Sequence, residues 1–475
     1  MCRRLDRRRG RGVGLCISAL LAWGCAVDLG LEKKDGWTDA EDPPLDEVSD
    51  DPGVEDVPDL CGNGEIDDGE ECDGDPDRSC TTECGTEGTE TCVECSWSEC
   101  LPPVEVCNGA DDDCDDETDE SGEVTVEAGP VSVSNDPAAS TNPSIAWTGT
   151  AFGIVWEDWR GSTLDAWSAI LAPDGTIAVS EDLLHAADTA VHDPGLVWSA
   201  GIFGFVFSDG DPGAEDIVFA RMDEAGDYLG PPRPVADMVA TPCLRPYLVP
   251  RPGGYAAAWD SIFGVHFVLL NAMGNPQGTA VDLDDDGNVS RDAALASSGA
   301  GFGVAWVDER DGGPGIYAAA LLDDASIVAT DIRLSADSGS DGPAIVWDGS
   351  TYAVVWSDGS AGLILGRFNA TGTVIGATIH VTGSGSEASE PSLAWTGSTF
   401  GLAWVEGSGG AKEIRFRALE ASGTPLTVGI PVGDAGEVGS PDLAWTGSSL
   451  GLAWHDEGIG SGEIEAAILV HGDCP

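Results

Sequence analysis

PSLAWTGSTFGLAWVE, residues 391–406, recurs as PDLAWTGSSLGLAWHD at 441–456, PAIVWDGSTYAVVWSD at 343–358 and PSIAWTGTAFGIVWED at 143–158. Each copy is a short apolar run ending in Trp, a Gly-containing turn, and a second apolar run ending in Trp with an acid shortly after. Weaker copies end at Phe207, Trp259 and Trp306. The second-run aromatics Trp156, Phe207, Trp259, Trp306, Trp356, Trp404 and Trp454 stand 51, 52, 47, 50, 48 and 50 residues apart. A near-constant period of this size, filled with short strands and turns, indicates small sheets repeated around an axis.

Each repeat divides into four strands. In the first copy these are Pro143–Trp147, Phe152–Trp156, Ala166–Leu171 and Thr176–Ser180, with Pro173-Asp174-Gly175 turning the third into the fourth. The first two strands are apolar throughout, as strands covered on both faces must be. Seven copies predict an all-β fold, a seven-bladed β-propeller over residues 122–475, with an N-terminal disulfide-rich module. The last copy stops after its third strand, Glu463–Val470, and lacks a fourth. The segment Val131–Pro143 parallels His380–Pro391, so Val124–Ser134 is expected to supply the missing strand. Such closure removes open sheet edges.

The chain carries 84 acids against 21 bases, a net charge of −63. This argues against nucleic-acid partners and against attraction to anionic membranes. Six arginines lie in the first eleven residues, followed by the apolar run Val13–Trp23 and then Gly24-Cys25. A basic start, a short apolar stretch and a small residue describe an export signal over residues 1–24. Leu21–Cys25 resembles the lipobox of bacterial lipoproteins, which implies lipidation at Cys25 and a monomer anchored to the outer membrane or cell surface. Residues 25–60 are acidic and poor in large apolar groups, the composition of a disordered tether.

Nine cysteines follow within residues 61–114: Cys61, Cys72, Cys80, Cys84, Cys92, Cys95, Cys100, Cys107 and Cys114. In an exported chain this density reads as a disulfide framework, and the odd count leaves one thiol for another partner such as Cys474. CGNGEIDDGEECDGD at 61–75 resembles the Cys-rich repeat of myxobacterial-type surface lipoproteins. VEVCNGADDDCDDETDE at 104–120 resembles a metal-binding motif of the same proteins; the module spans 61–121. The residues make their own case for Ca²⁺ there. Asp111, Asp113 and Asp115 alternate, Asp119 and Glu120 follow, and hard oxygen donors without His favour calcium. A second loop, Asp282–Gly287, has the D-x-D-x-D-G form of calcium loops, whereas the first has Asp116 in place of the Gly; Asp282, Asp284 and Asp286 are its candidate ligands.

An acid also occupies one slot of nearly every repeat: Asp158, Asp209, Asp308, Asp358, Glu406 and Asp456, with Ser261 in the third. The favoured reading is that each accepts backbone N–H bonds in its own turn; the alternative is a ring of ligand-binding carboxylates. No G-x-S-x-G, HExxH or phosphate loop is present. The sequence therefore predicts a non-enzymatic surface lipoprotein whose propeller binds a protein or polysaccharide, with calcium in the stalk. The alternative is a secreted propeller hydrolase or lyase acting on glycans. An enzyme should gather acids with an Arg or His on one side of the channel, whereas a scaffold should keep its seven slots equivalent. The divergent repeats two to four are where a specific site is expected.

Overall fold

The structure is a computed structural model. It describes residues 124–471 except 137, 162, 186–189, 211–212, 237–241, 285–286, 336–338 and 459–461, together with short pieces between 72 and 100. Seven four-stranded antiparallel sheets are formed. Their first strands, here called A, are Ser140–Trp147, Ala190–Ser199, Cys243–Arg251, Ser290–Ser297, Ser340–Trp347, Ala388–Trp395 and Val438–Trp445. Successive A strands pack against one another in an unbroken cycle, so they line the axis. Strands B, C and D follow outward, as in blade one: Phe152–Asp158, Asp165–Leu171 and Ile177–His185. The seven-bladed propeller that the repeat predicts is present.

The repeat explains why the blades mesh. The core lies between blades, and every residue of strand B in blade one is buried. The period-setting aromatics are interior: Trp156, Phe207 and Trp306 are fully buried, and Trp259, Trp356, Trp404 and Trp454 are at most 2% exposed. They fill the wedges between sheets and offer no ring to a ligand. The aromatic–Gly pair that opens strand B has a second use. A Cβ on Gly153 would fall 2.4 Å from the Phe203 ring of blade two, and one on Gly451 would fall 2.4 Å from Phe152 of blade one. Each aromatic thus seats on the glycine of the preceding blade.

Blade seven is completed from far away in sequence. Its fourth strand is Val124–Ser132, antiparallel to Glu463–His471 with Ala466 opposite Val131 and Leu469 opposite Val126. Ser134 Oγ donates to Glu463 Oε2 at 2.7 Å and accepts from Ile464 N at 2.8 Å.

In the N-terminal pieces, Arg78–Thr81 pairs with Glu87–Glu90 and Cys92–Val93 with Ser96–Trp97. Disulfides join Cys72 to Cys92 and Cys80 to Cys100. Cys25, Cys61, Cys84, Cys95, Cys107, Cys114 and Cys474 lie outside the described residues, as does the whole Asp111–Glu120 loop. No helix among the described residues is long and apolar enough to cross a membrane.

Candidate functional site

The repeated acids are structural. Asp158 is fully buried and accepts the Trp156 indole N–H at 3.1 Å, the Arg160 backbone N–H at 2.8 Å and Ser140 Oγ at 2.9 Å. Asp308 repeats the pattern with Trp306 at 3.2 Å and the Arg310 backbone at 2.8 Å. Glu406 takes the Trp404 indole at 2.8 Å, and Asp456 takes the Gly458 backbone at 2.8 Å. Asp158 and Asp308 tie the end of strand B both to the following turn and to the tryptophan beneath; Glu406 holds its tryptophan and Asp456 its turn.

The carboxylates of the second acidic loop have protein partners. Asp282 Oδ1 lies 2.8 Å from His266 Nδ1. Asp284, 4% exposed, accepts Arg310 Nη2 at 2.9 Å and the Ser290 hydroxyl. Asp286 lies outside the described residues. No group of three or more His, Cys, Asp or Glu placed to hold a metal ion occurs among the described residues.

What sequence reasoning missed is on the axis. Each A strand carries one residue with left-handed backbone: Asn142 (φ 50°), Asp193 (52°), Arg245 (47°), Asp292 (56°), Gly342 (52°), Glu390 (50°) and Ser440 (49°). Each sits at a register shift between strands A and B, for example between Thr141 and Ser144 or between Leu244 and Tyr247. In six blades the next residue is Pro, which has no N–H for the ladder and so favours such a bulge. The bulge turns these residues toward the channel, where they line a cavity of about 480 Å³. Ser144, Tyr247, Ser392 and Asp442, two positions further along their strands, also line it.

The seven slots are chemically unequal, and acids with raised pKa surround one Arg. Arg245 holds Asp260 through Nε at 3.1 Å and Nη2 at 2.8 Å, and its Nε lies 3.0 Å from Asp292 Oδ1. Burial pushes the Asp260 carboxyl up to about 6 even against Arg245. Burial also raises Asp193, over the opposing charge of Arg245. Below the rim, Glu157 accepts Asp193 N at 2.6 Å and Asn142 Nδ2 at 2.9 Å. Burial, and then the charge of Asp193, push Glu157 up to about 7. Asp442 lines the cavity from blade seven, accepting Ser144 Oγ at 3.0 Å and Ile145 N at 2.9 Å, and burial raises it too. Tyr247, 45% exposed, faces the same space near Asp442.

One consequence concerns stability. A carboxyl with folded pKa near 7 holds its proton where the unfolded chain, near 4.5, has released it. The fold therefore loses stability as pH rises from about 4.5 to about 7. Glu157→Gln should remove this component and raise stability at pH 8 relative to wild type by on the order of 2 kcal/mol. Denaturant melts of both proteins at pH 5 and pH 8 measure it, and a variant gain at pH 8 no larger than at pH 5 would contradict it.

No family model matches the sequence, and no curated protein is similar to it in sequence. Solved structures overlap it loosely. A Trypanosoma rangeli sialidase in complex with 2,3-difluorosialic acid is 9% identical with TM-score 0.40, covering 70% of this chain and 54% of its own. The phage phi92 endosialidase is 9% identical with TM-score 0.44, over 74% and 69% of the two chains. A GH43_1 enzyme from Xanthomonas citri, complexed with xylose, is 12% identical with TM-score 0.36, over 72% and 90%. This chain therefore spans about half the length of the sialidase. These neighbours are named a sialidase, an endosialidase and a GH43_1 enzyme, and the expectation of a non-enzymatic module is withdrawn. No residue role, substrate or mechanism is taken from overlaps this loose.

Proposed function

We propose that the axial cavity is the active site of an enzyme that cleaves neutral glycans. The observation that carries this reading is the inequality of the seven left-handed slots: Asn, Asp, Arg, Asp, Gly, Glu and Ser. A ring kept only for packing has no need of six different residue types in seven slots, whereas the acid slot one layer out is nearly uniform. Glycoside hydrolysis needs one carboxyl that holds a proton and one that does not. Asp442, raised by burial, suits the donor. Asp292, ion-paired with Arg245 and Arg291, suits the carboxylate. They stand in blades seven and four, across the channel from each other, with Tyr247 of blade three beside Asp442.

The substrate class follows from charge. Asp193, Asp292, Glu390 and Asp442 line the cavity with Arg245 as their single cationic companion, and Arg245 is already held by Asp260 and Asp292. An anionic sugar would meet repulsion without a free counter-charge. Release of reducing ends from a panel of neutral and acidic polysaccharides tests the reading. Cleavage of a neutral polymer is expected, with Asp442→Asn lowering kcat by about 10²–10⁴-fold at unchanged melting temperature. Cleavage confined to acidic polymers, or full activity in Asp442→Asn, would sink it.

A further inference from the structure

Blade three departs from the other six on one face of its sheet. Strand B, Gly254–Ser261, ends in Ser261, where other blades carry the slot acid. Ser261 pairs with Gly264 across the hairpin, so His266 of strand C, two residues on, shares its face. Strand D brings Asp282 directly opposite His266. The three side chains are in line: Ser261 Oγ lies 2.7 Å from His266 Nε2, and His266 Nδ1 lies 2.8 Å from Asp282 Oδ1. A carboxylate can only accept, so Nδ1 carries the proton and Nε2 is left to accept from the serine hydroxyl. At the corresponding positions blade four has Asp308, Tyr317 and Arg333, and blade six has Glu406, Arg415 and Pro431.

A fourth group completes the picture. Trp259 pairs with His266 in the register, its ring centroid 5.4 Å from the imidazole. It is 1% exposed, and its indole N–H has no partner. In blades one, four and six that N–H is given to the slot acid. In blade three the slot residue Ser261 is hydrogen-bonded to histidine and the Trp259 N–H stays unpartnered, as does that of Trp356 in blade five. Above them, Ile262 and Phe263 are 66% and 59% exposed.

We propose that Ser261, His266 and Asp282 form a second catalytic centre, separate from the axial cavity, that hydrolyses short-chain esters with an apolar alcohol group. Ser261 Oγ bonds to the ester carbonyl carbon while its proton passes to His266 Nε2. The carbonyl π electrons move onto oxygen. Collapse of this intermediate breaks the bond to the alcohol oxygen, which takes the proton from His266 and departs. Water then attacks the acyl-serine by the same route, so ester and water become acid and alcohol. Asp282 fixes the imidazole and stabilises its protonated form. The ester class follows from access: Ser261 is 6% exposed, which limits the acyl group, and the Ile262–Phe263 turn offers apolar surface to the alcohol.

If the three groups only satisfy one another's hydrogen bonds, the serine will be unreactive. The test treats the full folded chain with an alkyl fluorophosphonate, locates the adduct by peptide mass spectrometry, and follows 4-nitrophenyl acetate hydrolysis. The expected adduct is on Ser261. Asp282→Asn, a change at the surface, should lower kcat by roughly 10²–10⁴-fold with little change in KM, and Ser261→Ala should abolish labelling. Labelling needs no variant, so a folding defect in Ser261→Ala cannot mimic failure. A folded wild-type chain unlabelled at Ser261, or an Asp282→Asn variant hydrolysing at the wild-type rate, overturns the proposal.

Discussion

Asp158→Ala should destabilise the propeller by about 3–5 kcal/mol, the scale for removing one partner of a buried ion pair. Asp158 is fully buried and Arg160 nearly so; Arg160 Nη2 reaches Asp158 at 2.6 Å and Arg160 Nε reaches it at 2.9 Å. Truncation strands the guanidinium, which keeps only Glu181 at 2.7 Å, and frees the indole N–H of Trp156 inside the core. Burial by itself would raise the Asp158 carboxyl, but its hydrogen bonds from Arg160, Trp156 and Ser140 outweigh burial and lower it. Its stabilisation is therefore complete above the ordinary carboxylate pKa and lost as pH falls through the lowered folded value. Urea melts of wild type and variant at pH 7 and pH 3 should show a gap that narrows in acid. A gap under about 1 kcal/mol at pH 7 would mean the slot acid is dispensable.

Deleting residues 124–134 should cost more still. Blade seven would lose its fourth strand and expose the edge of Glu463–His471, including Ile464, Ala466 and Ile468, all at most 1% exposed in the closed ring. The Glu463 carboxylate and the Ile464 N–H would lose Ser134 together. A bare apolar edge is a template for pairing with another chain. We expect a melting temperature lower by roughly 10 °C or more, with oligomers on size-exclusion chromatography. A monomeric truncated chain melting with the parent would show that the ring does not depend on this strand.

Why some of this could be read in the sequence, and some not, has a physical basis. The blades were legible because packing between sheets repeats: the same Trp must fill the same wedge, and the same Gly must admit the next blade's aromatic, so the chain repeats itself. The acids after strand B were legible for the same reason, and their local capping role is what Asp158 and Asp308 show. The axial residues were not legible. In six blades they stand immediately before the proline that starts the repeat phrase, and only Asp recurs among them, in blades two and four. Their left-handed backbone becomes visible only when strands A and B are paired and the bulge appears. A specific site was expected in the divergent repeats two to four, and in blade three Arg245 reaches Asp260. The Ser261–His266–Asp282 line escaped because it is assembled across three strands by register, with no local motif to announce it.

The central claim is that glycan cleavage belongs to the residues lining the axial cavity, Asp442 among them, and not to the uniform acids around them. The direct measurement is kcat on one cleaved neutral polysaccharide for Asp442→Asn and Asp358→Asn, each checked to be folded at the assay temperature. The account predicts a fall of about 10²–10⁴-fold for Asp442→Asn and less than about threefold for Asp358→Asn. Equal rates in the two variants, or the greater loss in Asp358→Asn, would contradict it.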